Sequence, residues 1–383
     1  MPEKYTTFAN QYIILPKVTI MIRKVHFENI VGIESFSNEI PFPAITVIIG
    51  KNDVCKTSLL KALYVSAKSA ERYSLYSQHS DEKNVEQIIA RCLSGVYGRT
   101  KNGIGDIVRK NGTPHRLTFS VEYDAHCPFK SMGFSFGQDA RKELKKSNVS
   151  FVLNEQTESC SNAIFVPAKE VITAFPAIKA IVNRYFYPGY DDTTMDLIEM
   201  LDVPEINASI EDNYGRDMFS FCEKVSSMFA GELKQVNSAE RFVYKRGTQE
   251  FAMSMTAEGV KHIGVLSTLI KNGQLTSNSV LFLDEPEDNL HPSAVRQLMK
   301  ILVGLSRCGV QIFLTTHNYF VLKQLQIEAC RDKSSILCCS LARGEDGTIE
   351  STFADLREGL PENDIIKETL AMYDEDIELE FHS

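Results

Sequence analysis

Three short stretches hold residue types whose spacing could do chemistry. The first, GKNDVCKTS, spans residues 50–58. A glycine, four residues, then a small residue, lysine and threonine has the layout of a loop that wraps a phosphate. The amides of Gly50, Asn52, Asp53, Cys55, Lys56, Thr57 and Ser58, with the N-terminus of a following helix, would converge on the anion. Lys56 would reach the β- and γ-phosphates, and the Thr57 hydroxyl would bind Mg²⁺. One position departs from the pattern. Such a loop carries glycine before its lysine because the backbone passes close to the phosphates and a Cβ crowds them; this chain has Cys55. Two readings stand. The loop tolerates a small side chain with some loss of affinity, or the site is degenerate and binds nucleotide weakly or not at all.

The second stretch, VLFLDEPEDNLHP, covers residues 280–292. An apolar run ending in Asp284 and Glu285 describes a buried strand that presents two carboxylates at its C-terminal end, where open α/β sheets bind ligands. Two are needed because the tasks differ. Asp284 would help hold Mg²⁺ through its water shell, and Glu285 would polarise an attacking water. The third stretch, QIFLTTHN at 311–318, is another apolar strand, ending in hydroxyl residues and His317. That histidine would hydrogen-bond the γ-phosphate or the water. A lone histidine at a strand end is more often structural, but its order after the loop and the acidic strand favours function.

The elements that must position these groups are legible in outline. IRKVHFENI and ITVIIG read as strands, and Leu59, Leu60, Leu63 and Tyr64 recur at helical spacing after the loop. VEQIIARCL reads as a helix, whereas LTFSVEYDA, MGFSFGQ, NVSFVLN and NAIFVPA read as strands. Residues 167–228 are mainly helical in pattern. RFVYKRGTQEFAMSM is strand-like, a helix opens at Thr256, and another starts at Pro292. The expected organisation is an N-terminal arm over 1–20, an α/β core over 21–165 and 240–345, a helical insertion over 166–239, and an acidic C-terminal segment over 346–383.

Bulk properties exclude several classes. The 383 residues are 43% hydrophobic and 24% charged, as in an ordinary globular protein. No apolar run approaches the ~20 residues of a membrane span, and the N-terminus has no signal-peptide core. Nine cysteines show no framework or metal-ligand spacing, which fits a reducing cytoplasm. A formal charge of −9 argues against a surface coated for nucleic acid. DNA contact stays open at two basic stretches, RKELKKS from Arg141 and RTKNGIGDIVRKNG from Arg99.

The order GKNDVCKTS, MTAEGVKHIG, LFLDEPEDNLHP, TTHN resembles the ABC-type ATPase heads of the SMC, Rad50, RecF and OLD group, and most of all the small bacterial ATPases of the AAA15/AAA21 type. HFENIVGIESF is similar to that group's opening strand and loop, with Asn29 at the matching place, and IFVPAKEV at 164–171 is similar to a segment common among them. The resemblance implies a P-loop head with a mixed sheet, ATP and Mg²⁺ as ligands, Walker A at Gly50 to Thr57, Walker B at Asp284-Glu285, and a switch histidine at His317. It also implies that the turn Thr256 to Gly259, with Glu258, opens the signature helix that caps the γ-phosphate held by a second head. Asp288-Asn289-Leu290 would then lie at the dimer interface. The plainer reading of the turn is an ordinary helix capped by Thr256.

The functions this implies are an ATP-driven dimerising switch that controls a separate effector, in bacterial defence or DNA maintenance, or a nucleotide-binding scaffold with negligible turnover because of Cys55. A self-contained OLD-type nuclease is expected to fail on space, since residues 318–383 are too few for a nuclease domain. DEPEDNLHP fits a transporter ATPase less well than an SMC-like head.

Overall fold

The computed structural model describes residues 21–77, 84–98, 103–155, 161–182, 190–206, 231–236 and 242–382, with single positions between 218 and 227. The arm over 1–20, part of the insertion, and Arg99 to Asn102 of one basic stretch lie outside them.

A six-stranded sheet carries the three chemical stretches. Its strands are β3 (Ile45–Ile49), β7 (Asn162–Val166), β11 (Ser279–Asp284), β12 (Gln311–Thr316), β13 (Ile336–Arg343) and β14 (Ile349–Asp355). Their order is β14-β13-β3-β12-β11-β7. All neighbours run parallel except the edge strand β14, antiparallel to β13. Parallel strands are covered on both faces, so their sequences are apolar throughout rather than alternating. Successive residues serve opposite cores. Val280, Phe282 and Phe313 join one hydrophobic cluster, while Leu281, Leu283, Ile312 and Leu314 join the other. The adjacent thiols Cys338 and Cys339 divide in the same way and are buried and free.

The first core lies beneath a five-stranded antiparallel sheet of order β2-β1-β4-β5-β6. Its strands are β1 (Ile22–Ile30), β2 (Ile33–Ser37), β4 (Arg116–Tyr123), β5 (Phe129–Gly137) and β6 (Val149–Leu153). Helix α1 (Lys56–Ser77) contacts both sheets and packs on α2 (Val85–Val96). Buried Gln311 at the start of β12 stitches the two sheets. Its carbonyl accepts from the Met21 and Ile22 amides at 3.0 Å each, and its amide donates to the Ile22 carbonyl at 2.9 Å.

The second core lies under α4 (Asp192–Asp202), α5 (Glu258–Lys271), α6 (Pro292–Arg307) and α7 (Tyr319–Asp332). Helix α3 (Phe175–Val182) and a small sheet of β8 (Glu232–Gln235), β9 (Phe242–Arg246) and β10 (Gln249–Ala252) complete that side. The last helix, α8 (Asp364–His382), packs its first turn through Ile365 and Ile366, whereas Leu370, Tyr373 and Ile377 are exposed. The segment set apart from residue 346 thus supplies the edge strand β14 before it becomes an acidic helix. Among the described residues no helix is long and apolar enough to cross a membrane.

Candidate functional site

The phosphate loop links the C-terminal end of β3 to α1. The turn is tight: a Cβ at Gly50 would lie 2.6 Å from both the Leu341 carbonyl oxygen and Val54 Cγ2. Asp53 and Cys55 both adopt left-handed backbone, with φ 75° and 62°. For an L-residue with a Cβ that conformation costs roughly 1–2 kcal/mol, the physical reason glycine suits the position of Cys55. The thiol is turned toward the β1–β2 turn, where a Cβ on Gly32 would come 2.8 Å from Cys55 Sγ. Besides any crowding of the phosphates, Cys55 thus carries a cost in the loop's own backbone. The Cys55 carbonyl accepts the first α1 bond from the Leu59 amide at 3.0 Å. The amides ahead of Leu59 are therefore left to face an anion.

Lys56 is buried, and its ammonium donates to the carbonyls of Gly50 and Lys51 at 3.0 Å each. It also lies 3.4 Å from Glu285 Oε1. Thr57 Oγ1 is 3.0 Å from both carboxylate oxygens of Asp284. Two hard oxygen donors side by side at the end of a parallel strand fit a magnesium site. Burial raises the Asp284 carboxyl above its ordinary range, partly offset by hydrogen bonds from Thr315 and Thr57. The remaining loop residues are peripheral. Asn52 is exposed, the Ser58 carbonyl accepts from the Tyr97 hydroxyl at 2.8 Å, and Arg343 donates to the Asp53 carbonyl at 2.9 Å.

Glu285 holds the centre. Its backbone is left-handed at φ 46°, and its amide donates to Thr315 Oγ1 at 3.0 Å. Its Oε1 faces His317 Nδ1 at 3.0 Å. Glu285, Asp288 and His317 also offer ligand atoms within 4.8 Å of one another. The paired threonines before His317 explain much of this order. Adjacent strand residues point to opposite faces. Thr315 donates to Asp284 Oδ1 at 2.7 Å, while Thr316 donates to Glu287 Oε1 and accepts from the Asn318 amide at 2.9 Å. Glu287 is almost wholly buried, its Oε2 has no hydrogen-bond partner among the described residues, and burial pushes its carboxyl up to about 7.

The signature turn lies elsewhere in the contact network. Helix α5 starts at Glu258 with Ala257, not Thr256, as its N-cap, and no side chain caps it. The Thr256 hydroxyl donates to the Ala252 carbonyl at 3.0 Å. Glu258 pairs with buried Lys261 at 2.8 Å, and Lys261 also lies 3.8 Å from Glu170. Gly259 packs under the loop after Walker B, because a Cβ there would meet Leu290 Cδ2 at 2.2 Å. Asn29 belongs to the antiparallel sheet; its amide donates to the Arg116 carbonyl at 3.0 Å.

The sequence motifs thus meet in one place for Lys56, Thr57, Asp284, Glu285 and His317, but not for Asn29 or the Thr256–Gly259 turn. Sequence reasoning missed Glu287, Thr315 and Thr316 as partners although they stand inside the quoted stretches. It also missed Glu170, Lys261 and Arg343. Arg343 has no local signal, since β13 brings it to the loop only through sheet pairing.

Residues 45–323, more than half of the chain, match the family described as "AAA domain, putative AbiEii toxin, Type IV TA system". The Old nuclease of Escherichia phage P2 is 37% identical over 65 residues, which cover 16% of this chain and 11% of that protein. The chain therefore spans about a tenth of that relative's length. An SmcHead solved bound to the C-winged helix domain of ScpA aligns over 88% of this chain and 98% of its own, with a TM-score of 0.50 and 14% identity. That likeness is one of fold.

Proposed function

The chain belongs to the AAA domain family described as putative AbiEii toxin, Type IV TA system, and we propose that it works as an ATP-hydrolysing switch that closes as a dimer. Membership makes it an ATPase domain; hydrolysis, dimerisation and control of an effector are our reading. The observation that supports the reading is Glu285, whose Oε1 lies 3.4 Å from Lys56 Nζ and 3.0 Å from His317 Nδ1. A triphosphate seated on the loop amides would place its γ-phosphate beside Lys56 and His317. Glu285 would then accept a proton from an in-line water, with His317 orienting that water or the γ-oxygens. Thr57 and Asp284 would hold Mg²⁺, which supplies charge neutralisation on the phosphates when bound.

Thr256, Glu258 and Gly259 make no hydrogen bond to the phosphate loop among the described residues. That supports assigning them to the nucleotide of a second copy, with the free α5 amides aimed at its γ-phosphate. Closure would then signal to a separate effector protein in bacterial anti-phage defence or DNA maintenance, within the cytoplasm. DNA is a candidate ligand at Lys142, Lys145 and Lys146, which are exposed between β5 and β6.

Turnover and mass measured together test the proposal. Wild type should hydrolyse ATP with Mg²⁺. Glu285→Gln should lose turnover by about 10²–10⁴-fold while accumulating an ATP-dependent dimer by light scattering. Equal, negligible hydrolysis in both would favour the second reading, a nucleotide-binding scaffold. The left-handed Cys55 is the observation behind that alternative.

A further inference from the structure

Two parts of the site that must communicate are joined by one buried polar contact. We propose that Glu287 is a positioning residue, whose bond to Thr316 couples the place of His317 to the loop 288–290 and, through it, to the start of α5. The inference deepens the ATPase reading and rests on it for its kinetic part.

Thr316 is the last residue of β12 and directly precedes His317. Its hydroxyl donates to Glu287 Oε1 and accepts from the Asn318 amide at 2.9 Å, so both hydroxyl functions are committed. Asn318 in turn caps α7, accepting from the Phe320 amide at 2.8 Å. The peptide segment carrying His317 is therefore held from both sides. On the other strand, the Glu287 carbonyl accepts from the Leu290 amide at 3.0 Å, and the Glu285 carbonyl accepts from the Asp288 amide at 3.1 Å. Leu290 then abuts Gly259, where α5 begins. A shift at His317 is thus passed through Thr316 and Glu287 to Leu290 and Gly259.

The chemistry of Glu287 argues for more than packing. A buried carboxyl with one oxygen unpartnered is costly, and an apolar residue of similar shape would fill the space without that cost. What an apolar residue cannot do is hold the Thr316 hydroxyl. The backbone ahead of Glu287 is also strained, with Glu285 at φ 46°. Strain of this kind persists where neighbouring contacts over-determine it.

The test uses Thr316→Val, which keeps shape and removes the hydroxyl, with Thr316→Ser as rescue and Glu287→Ala as the second arm. In ATPase assays Thr316→Val should lower kcat at least about tenfold, with KM within about twofold, and Thr316→Ser should restore it. The double variant should fall no further than the worse single variant, the mark of a shared interaction. Independently of turnover, hydrogen exchange of the Asp288 and Leu290 amides should quicken in Thr316→Val and not in Thr316→Ser. Unchanged exchange in a folded Thr316→Val, or losses that multiply in the double variant, would overturn the coupling. A wild type without turnover would sink the ATPase reading instead, leaving the exchange arm to decide the link.

Discussion

The Walker end of the sheet and the start of α5 differ in how their groups are satisfied. At the first, Glu285 lies within 3.4 Å of both Lys56 and His317, and Thr57 meets Asp284. At the second, Thr256 turns back to Ala252, and Glu258 pairs with Lys261 on its own helix. One region is complete within a single chain. Among the described residues the other has a helix N-terminus without a side-chain cap. On the proposed reading the second region completes the nucleotide site of another copy, whereas the first could bind nucleotide alone.

The sharpest way to break that comparison is Gly259→Val. Its Cβ would run into the end of the Leu290 side chain, so Leu290 turns away from its packed position or the start of α5 shifts. Nucleotide binding by the isolated chain should stay within about twofold, while ATP-dependent dimerisation and turnover fall by about 10²-fold. Titration calorimetry and light scattering read the two arms. Equal losses in both would mean that the regions are not separable.

Glu287→Gln sharpens the same contrast through stability. Burial raises the Glu287 carboxyl to about 7 from an ordinary 4.5, so folding favours the neutral acid. Its contribution is fully present below pH 4.5 and is lost as pH rises through 7. A glutamine cannot ionise. The variant should match wild type at pH 4 and exceed it at pH 8.5 by on the order of 3 kcal/mol in denaturant melts. A gap independent of pH would show that Glu287 does not titrate in this range.

The smallest effect is expected from Cys55→Gly. Glycine relieves the φ of 62° but loses more chain entropy on folding. The net gain should be no more than about 1 kcal/mol in stability, with ATP affinity rising a few-fold. Unchanged affinity and turnover would show that the cysteine does not impair the loop, and would weaken the scaffold reading.

Much of the first region was legible because its geometry is local or follows from strand order. GKNDVCKTS is a strand-to-helix turn, and DE and H sit at the ends of apolar runs that read as buried strands. The second region was legible as a motif but not in its details. Thr256 does not cap the helix: its hydroxyl turns back to the Ala252 carbonyl beside a one-turn helix at Met253–Met255, and Ala257 takes the N-cap place. Lys261 and Glu170 are far apart in sequence, so no periodicity reveals their proximity.

The sequence by itself singled out candidate phosphate and metal residues, since Gly50, Lys56, Thr57, Asp284 and Glu285 stand in a local turn and at the ends of buried strands. Only the tertiary structure decided which of them meet. Strand pairing set β3, β12 and β11 side by side, bringing Thr315 onto Asp284 and Thr316 onto Glu287. Contacts of that kind depend on register and facing between distant segments, and a hydroxyl's choice of partner is not encoded in its neighbours along the chain. The backbone conformation of Cys55 belongs to the same class, because the surrounding fold holds it left-handed against its own preference.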